Sequence, residues 1–451
     1  MKPSIRFLLL LASFPILSAC HKDNIDADND STLSLNERMN QFIDTQMKDI
    51  YLWAKEIKNV KADLNKEPEE YLKTLRYSED LWSNIEENDP DTRTSINGKE
   101  KTFGYNIQFY KITDSLVGGM IQYVYKGSPA AKAGLKRGDM IFANNGKPLT
   151  PDNYTHILTD EQAVLKTGLI SHNTLYIFKE EYALSKAILQ QDPILLDTVI
   201  QIGNKKIGYL VYSQFYDDQS TSLPRLSQAI SQIKAASIDE FILDLRYNTG
   251  GAETAARHLG SLLAPAKHVR NQDILIQKQW NDTYQQKQHS QQLVCRFDPA
   301  VLPDNLDLQK IYILTGEHTA SASEVIISGL HPYTEIILIG SQTHGKYVGM
   351  SQIIPPHDLQ KWILWPVTFA YTNANGDSVK GGIPPTYSIE EYMNYLPPFG
   401  DPEDPLLAKA LELINGFPPA ITCLTQNIRT SPGTVSWQPL KHTKTHLLVV
   451  R

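Results

Sequence analysis

This chain of 451 residues has few cysteines, and it has neither a Cys/His cluster nor an excess of positive charge. Its three cysteines, Cys20, Cys295 and Cys423, fit neither a CxxC motif nor a metal-binding spacing. The sequence has no HExxH segment and no Cys/His cluster, so we expect neither a metal nor another cofactor. The formal net charge of −7 argues against nucleic acid as a partner, because general nucleic-acid binders are normally basic. For Cys295 and Cys423, a disulfide and two separate thiols both stay open.

A hydrophobic run long enough to cross a bilayer as a helix is also missing. The apolar run FLLLLASFPILSA has 13 residues and follows Lys2 and Arg6, which is typical of a secretory signal peptide. It ends in LSAC, residues 17–20, which resembles a bacterial lipobox. The resemblance implies cleavage before Cys20 and lipidation of its thiol, and thus a membrane-anchored protein of the cell envelope, on the periplasmic or surface face of the outer membrane. Ordinary signal cleavage is the alternative.

The segment after a polar tether is predicted to form a small helical domain. Apolar residues recur at spacings of three and four between Met39 and Tyr51, and EPEEYLKTL begins with the proline and acids typical of a helix start. We interpret the aromatic residues of this region as its core, namely Tyr51, Trp53, Tyr71 and Trp82.

Short strands and tight turns follow. The segment GSPAAKAGLKRGDMIFANNGKPL, residues 127–149, predicts a short helix that ends at Gly134, a strand and an Asn-Gly turn. It resembles the signature of PDZ domains, which bind an extended C-terminal peptide at a sheet edge. The resemblance implies that FGYNI holds the peptide carboxylate. The loop residues are Gly104, Tyr105, Asn106 and Ile107, and Asn106 stands where the usual loop has a second glycine.

From about residue 195 strands and helices alternate, which predicts α/β units around a mostly parallel sheet. Within them TGEHTASASE places Thr319, Ser321 and Ser323 at a strand-to-helix turn, where free backbone amides favour a developing oxyanion. A simple N-cap role for Thr319 or Ser321 is the alternative. The segment LDLRYNTGG likewise ends a strand with paired glycines, which let the backbone approach a ligand.

Together HTASASE, the Gly-Lys 25 residues after Ser321, LDLRYNTGG and the PDZ-like segment resemble the C-terminal processing (tail-specific) serine peptidases. The segments YLWAKEI and PEEYLKTLRYSEDLWS also resemble the helical leader of the lipoprotein members from Bacteroidetes-type bacteria. The resemblance implies an α/β fold with a crotonase/ClpP-like catalytic core, a PDZ-like β-rich domain and a small N-terminal helical domain. It makes Ser321 the nucleophile and Lys346 the general base. The implied oxyanion hole is formed by the backbone of Ala322 and of Gly250 or Gly251.

The predicted organisation has six segments. They are a signal peptide at 1–19, a tether at 20–33, a helical domain at 34–98, a PDZ-like domain at 99–185, an α/β serine peptidase domain at 190–415 and an extension at 416–451. The extension ends in an apolar HLLVV that is suited to an added strand.

A Ser–Lys dyad requires a neutral amine, so burial must lower the lysine pKa by several units. Ser323 is the competing nucleophile, His318 and His344 are the competing bases, and Glu324 is interpreted as stabilising the helix start. Family members often carry a glutamine four residues after the lysine to orient its amine. Here Met350 stands there, so Gln352, on the same face of a regular strand, is the substitute we expect.

Other functions fit the sequence less well. GSQTHGKY approaches the P-loop spacing, but Tyr347 stands where a magnesium-binding Ser or Thr is needed and no helix follows. We therefore expect a serine endopeptidase whose substrates are proteins or peptides with a free C-terminus. A catalytically silent PDZ-type peptide-binding lipoprotein and a non-peptide serine esterase are the alternatives.

Overall fold

The computed structural model describes residues 33–88, 97–171, 174–287, 292–391, 396–416, 438–439 and 448–450. The predicted signal peptide, Cys20 and Cys423 lie outside these residues, and so does the question of a Cys295–Cys423 disulfide. Cys295 itself is buried, and burial raises the pKa of its thiol. Within the described ranges, no helix has the length and apolar character needed to cross a membrane.

The predicted N-terminal helices form as α1 (Leu35–Ile50), α2 (Ala54–Ile57) and α3 (Pro68–Leu75). Helix α1 begins with a capping box, in which the side chains of Ser34 and Glu37 each accept a hydrogen bond from the other's backbone amide. Its buried face carries Met39, Ile43 and Met47 at intervals of four residues. These side chains belong to the same hydrophobic core as the α/β unit, so the helices pack directly on that unit.

A β-rich unit follows. Its elements are β1 (Asn84–Glu87), β2 (Lys99–Thr102), β3 (Tyr105–Lys111), β4 (Val117–Val124), α4 (Pro129–Ala133), β5 (Met140–Asn144), β6 (Lys147–Pro148), α5 (His156–Thr159), β7 (Gln162–Ser171), β8 (Thr174–Ile177), β9 (Tyr182–Ser185) and β10 (Ala187–Gln190). The main antiparallel sheet has the order β3-β4-β5-β7-β8, with β6 beside β5 and β9 beside β7. Strand β1 does not join this sheet but pairs with a strand of the α/β unit.

The predicted turns of this unit are confirmed. Helix α4 ends at Gly134, whose φ of 95° is left-handed, and its N-cap Ser128 accepts from the amide of Ala131. Asn145 and Gly146 both have positive φ, 50° and 74°, as a two-residue hairpin turn requires.

The α/β unit contains two further sheets. Its elements are β11 (Ile194–Ile202), β12 (Lys205–Tyr212), α6 (Ser222–Ala235), β13 (Glu240–Asp244), β14 (Gly251–Ala252), α7 (Glu253–Leu263), α8 (Ala266–Arg270), β15 (Ile274–Trp280), α9 (Asp282–Gln285), β16 (Val294–Arg296), β17 (Lys310–Thr315), α10 (Ala322–Leu330), β18 (Glu335–Gly340), β19 (Val348–Ser351), β20 (Trp362–Trp365), β21 (Val367–Thr372), β22 (Tyr387–Ser388), α11 (Pro405–Asn415), β23 (Gln438–Pro439) and β24 (Leu448–Val450). The HLLVV segment thus contains the strand predicted for it.

The first sheet has the order β11-β12-β13-β17-β18-β22 and is parallel except for its β11–β12 pair, as predicted. The second has the order β14-β24-β19-β21-β15-β16, and it mixes parallel and antiparallel pairs from distant parts of the chain. Strands β15 and β16 pair antiparallel on either side of α9 in the sequence. The short strand β20 pairs with β1.

Two buried arginines join the PDZ-like sheet to the α/β unit. Arg137 donates to the hydroxyl of Tyr247 at 2.7 Å and to Glu391 at 3.0 Å. Arg246 donates to the same Glu391 at 2.9 Å and to Asp404 at 2.7 Å. Because Arg246 and Tyr247 directly precede the Asn-Thr-Gly-Gly turn, this network couples the placement of the PDZ-like sheet to that turn.

Candidate active site

Strand β17 and helix α10 are joined by the turn that carries the three hydroxyls. Ser321 is the N-cap of α10 and has φ 60° and ψ −115°, a conformation that a non-glycine residue adopts only at a cost. Its side chain is fully buried, and among the described residues its Oγ has no hydrogen-bond partner. A buried, strained and unsatisfied hydroxyl at a helix start is suited to react rather than to support the fold.

The neighbouring hydroxyls support the turn instead. Thr319 Oγ1 donates to the carbonyl of Leu245 at 2.8 Å, and it accepts from the amide of Gly316 at 2.9 Å. Ser323 Oγ donates to the carbonyl of Asn248 at 3.1 Å. Ser323 is therefore engaged in the fold, unlike Ser321.

The carboxylate of Glu324 connects the nucleophile turn to the lysine loop. Oε2 accepts from the backbone amides of Ser321 at 2.8 Å and of Lys346 at 2.9 Å. Oε1 accepts from the amide of Gly345 at 2.6 Å and from Thr343 Oγ1 at 2.7 Å. Burial raises the pKa of Glu324, while these four donors oppose that rise. Glu324 therefore stabilises the start of α10, as predicted, and it also binds the lysine loop.

Lys346 lies in an apolar environment with its side chain fully buried. Its Nζ is 3.3 Å from the sulfur of Met350 and 5.9 Å from the ring centre of Trp82. Burial lowers the pKa of Lys346 to about 7, and the nearby charges of Asp80 and Glu324 oppose that change. A large share of the amine is therefore neutral near pH 7, which a general base requires.

Gln352 does not take the place that we expected beside the lysine amine. Strand β19 ends at Ser351, so Gln352 lies beyond the regular strand on which this expectation depended. The sulfur of Met350 lies at the amine instead. Gln352 lines a cavity of about 950 Å³ together with Glu253 and Lys278.

Three residues that the sequence did not identify also shape the site. Trp82 was assigned to the helical core, yet it packs edge-on against Tyr347 and faces the lysine amine. Asp80 is buried nearby and accepts from the hydroxyl of Tyr51 at 2.8 Å. The hydroxyl of Tyr371 lies 3.3 Å from the carbonyl of Ser321 and 2.8 Å from that of Lys346.

The Asn-Thr-Gly-Gly turn packs directly against the nucleophile turn. The amide of Ala320 donates to the carbonyl of Asn248 at 3.1 Å, which fixes the spacing of the two turns. The amide of Gly250 already donates to Asn248 Oδ1 at 2.9 Å, so it can serve an oxyanion only by giving up this bond. Gly251 has φ 140°, and a Cβ there would meet the carbonyl oxygen of Phe215 at 2.1 Å.

The expected carboxylate loop lies at the start of β3. Gly104 has φ 85°, and a Cβ there would lie 2.2 Å from that of Ser128, so the tight turn requires glycine. The side-chain amide of Asn106 donates to the hydroxyl of Tyr123 at 2.8 Å, and the hydroxyl of Tyr105 donates to the carbonyl of Ile157. Ile107 is buried in the core of this sheet.

The two histidines lie on either side of the site. His318 Nε2 is 3.0 Å from Gln108 Oε1, which links the nucleophile turn to β3. The backbone amide of His344 donates to the carbonyl of Thr319 at 2.9 Å, and burial together with the charge of Lys346 lowers the pKa of its ring.

Comparisons with known proteins agree with this arrangement. Three family models match the chain: peptidase family S41 at 206–389, the peptidase S41 N-terminal domain at 38–84 and a PDZ domain at 120–165. The carboxyl-terminal-processing protease of Synechocystis sp. is 24% identical over 77% of this chain and 80% of its own length. The carboxy-terminal processing protease CtpA of Bacillus subtilis is 26% identical over 59% of this chain and 52% of its own length.

A solved structure extends the match to the whole fold. The crystal structure of a protein from Bacteroides fragilis, assigned there to the S41 proteases, superimposes with a TM-score of 0.70 at 30% identity. The superposition covers 83% of this chain and 97% of that one.

Replacing Glu324 with glutamine tests whether its carboxylate positions both turns. One oxygen cannot serve four donors, so we expect Glu324→Gln to lower the free energy of unfolding by about 2–4 kcal/mol. We also expect the acidic limb of the pH–rate profile to move to lower pH, because a negative charge that raises the Lys346 pKa is lost. Exposed Glu335 provides the control, Glu335→Gln. A folded Glu324→Gln variant with normal activity and an unmoved acidic limb would contradict this role.

Proposed function

The chain belongs to peptidase family S41 and is a serine peptidase, and from that premise we propose that Ser321 and Lys346 form its catalytic dyad. The proposal is supported above all by one observation. The buried lysine with a pKa of about 7 and the buried hydroxyl without a partner are joined through the same Glu324 carboxylate. His318 is bound to Gln108 of β3, which favours the lysine over this histidine as the base.

The proposed reaction begins with the neutral amine of Lys346. It takes the proton of Ser321 Oγ as the oxygen attacks the carbonyl carbon of the substrate. The negative charge that develops on the carbonyl oxygen lies at the start of α10, where we assign the amides of Ala322 and Gly251 as donors. The lysine ammonium then gives its proton to the leaving amine, and water, activated by the same amine, releases the acyl group.

We propose that the PDZ-like sheet guides substrates by their C-terminus. Strand β3 is suited to this because it follows the Gly104 turn and because its Gln108 contacts His318 beside the nucleophile. An extended peptide added to β3 would therefore be held close to Ser321. We also propose the domain limits given by the sequence: a helical domain at 34–98, a PDZ-like domain at 99–185 and a serine peptidase domain at 190–415.

We further propose that the chain is attached to the cell envelope by a lipid on Cys20. The support is the apolar run followed by LSAC in the sequence. A single diacylglyceryl group bonded to that sulfur would carry two acyl chains, which suffice for stable anchoring, whereas one chain is marginal.

Lysine and serine substitutions test the dyad. We expect Lys346→Arg to lower kcat by about 10²–10⁴, as much as Lys346→Ala, because a guanidinium stays protonated. We expect Ser321→Ala to abolish turnover, while the matched control Ser323→Ala retains it, since the Ser323 hydroxyl is bound to the turn. The wild-type rate should rise about tenfold per pH unit below pH 7 and level off above it, as the amine loses its proton. Near-wild-type turnover of Lys346→Arg would exclude this base.

Peptide amidation tests guidance by the C-terminus. We expect a peptide with a free apolar C-terminus to be cleaved with a KM about tenfold lower than its amidated form, because amidation removes the charge that the carboxylate loop would hold. The two forms share every cleavable bond, so each is the control for the other. Equal KM values for the two forms would remove the reason to call the PDZ-like sheet a substrate reader.

Replacement of Cys20 tests the anchor. We expect Cys20→Ala to lose the lipid and to leave the membrane fraction when cells are fractionated, with Cys423→Ala as a control for the loss of a cysteine. A Cys20→Ala protein that stays with the envelope would show that the LSAC segment is not a lipidation site.

A further inference from the structure

The last described strand of the chain lies inside the second sheet of the α/β unit. Strand β24 is hydrogen-bonded between β14 and β19 and runs parallel to both. Leu448 pairs with Gly251, Val449 with Ala252 and Met350, and Val450 with Ser351. The strand therefore arrives from far along the chain to fill the interior of a sheet.

This position is next to the proposed catalytic groups. Strand β14 begins at Gly251, the candidate oxyanion donor, and β19 begins two residues after Lys346. Met350, whose sulfur is 3.3 Å from the lysine amine, pairs directly with Val449. The far end of the strand, at Ser351, leads to the cavity lined by Glu253 and Gln352.

Without β24, strands β14 and β19 would face each other across a gap one strand wide. Neighbouring strands lie about 4.8 Å apart, so the two edges would be roughly 9.6 Å apart. Each edge would present backbone groups without partners, and such edges bind an extended chain of almost any sequence. We call this gap the slot, bounded by Gly251–Ala252 and Met350–Ser351.

The same part of the chain also covers the edge of the PDZ-like sheet. In β23, Gln438 and Pro439 pair antiparallel with Lys111 and Tyr110 of β3. Strand β3 is otherwise the outer strand of that sheet, on the side where a peptide would be added.

We propose that β23 and β24 are intramolecular occupants of the two peptide-binding edges, and that β24 closes the slot to substrate until it is displaced. This inference rests on the proposed function, because the slot matters as the path of a peptide past Ser321. The slot pairs with the backbone of an extended strand, and Leu448, Val449 and Val450 supply one from within the chain.

The closure is expected to be partial. The slot holds only three residues of β24, so the affinity of the free strand for the slot is expected to be modest. Because the strand is tethered to the chain, its effective concentration at the slot is about 1 mM. If the free segment binds with a Kd of about 0.1 mM, the slot is closed about ten times as often as it is open. A substrate then competes with the tethered strand, which raises its apparent KM and leaves kcat unchanged.

A single substitution in the full chain tests this. Val449→Pro removes a backbone donor from the middle of the strand and should release it. We expect KM for an unstructured peptide substrate to fall about tenfold at unchanged kcat. Val449→Ile, which keeps the donor and the strand propensity, should behave as wild type. Val450→Pro serves as a second release variant. Lower kcat and a lower melting temperature in both proline variants, without a fall in KM, would show that β24 only completes the fold.

A binding measurement separates this inference from the dyad proposal. In the Ser321→Ala background, a fluorescent peptide of sequence KHTKTHLLVVR, residues 441–451, should bind the Val449→Pro chain with a Kd near 0.1 mM by polarisation. It should bind the chain with an intact Val449 about tenfold more weakly. The same peptide with proline in place of the valine that corresponds to Val449 is the control. If the peptide binds as expected but Ser321→Ala still hydrolyses a substrate peptide, the dyad proposal is wrong and the slot remains. If Ser321→Ala abolishes hydrolysis but the peptide does not bind the Val449→Pro chain, the slot proposal is wrong and the dyad remains.

Discussion

The site depends on the hydrogen bonds that the buried carboxylate of Glu324 accepts. A buried negative charge is costly, and this one is stabilised by four donors taken from two separate turns. Because the donors include the amides of Ser321 and Lys346, satisfying the charge also fixes the distance between the two residues. The carboxylate further stabilises the start of α10, where the helix dipole favours negative charge. One side chain thereby positions the proposed nucleophile, the proposed base and the helix start.

The lysine's low pKa follows from how the rest of the chain closes around this connection. Trp82 and Asp80 come from the segment after the N-terminal helices. The ring of Trp82 excludes water from the lysine amine, and Asp80 provides a negative charge near it. The desolvation outweighs the attraction of Asp80 and Glu324, so the pKa falls to about 7 rather than staying near 10.5. The N-terminal helices support the site, because the hydroxyl of Tyr51 at the end of α1 donates to Asp80.

Much of this was predictable from local sequence patterns. The alternation of strands and helices predicted the first sheet, and the family resemblance led to the turns of Ser321, Gly251 and Lys346. The role of Trp82 was missed because helical periodicity shows that an aromatic residue is buried but not against what. The expectation for Gln352 assumed a regular strand that continues through residue 352, but β19 ends at Ser351 and the sulfur of Met350 lies at the amine, and local alternation in a sequence does not show where a strand ends. The second sheet joins strands from positions 251 to 450, and no local pattern specifies such pairings.

The two proposed peptide-binding edges would have different parts in recognition, and backbone physics gives the reason. Pairing at the slot uses main-chain donors and acceptors, so it accepts many sequences and cannot by itself select a substrate. Selection must then come from side chains and from the carboxylate loop at the start of β3, one strand edge away from the nucleophile turn. The buried network of Arg137, Arg246, Glu391 and Asp404 holds these two edges in a fixed relation, because it connects the PDZ-like sheet to the residues before the Asn-Thr-Gly-Gly turn. A tolerant slot beside a selective edge suits an enzyme that identifies a chain by its end and cuts it elsewhere.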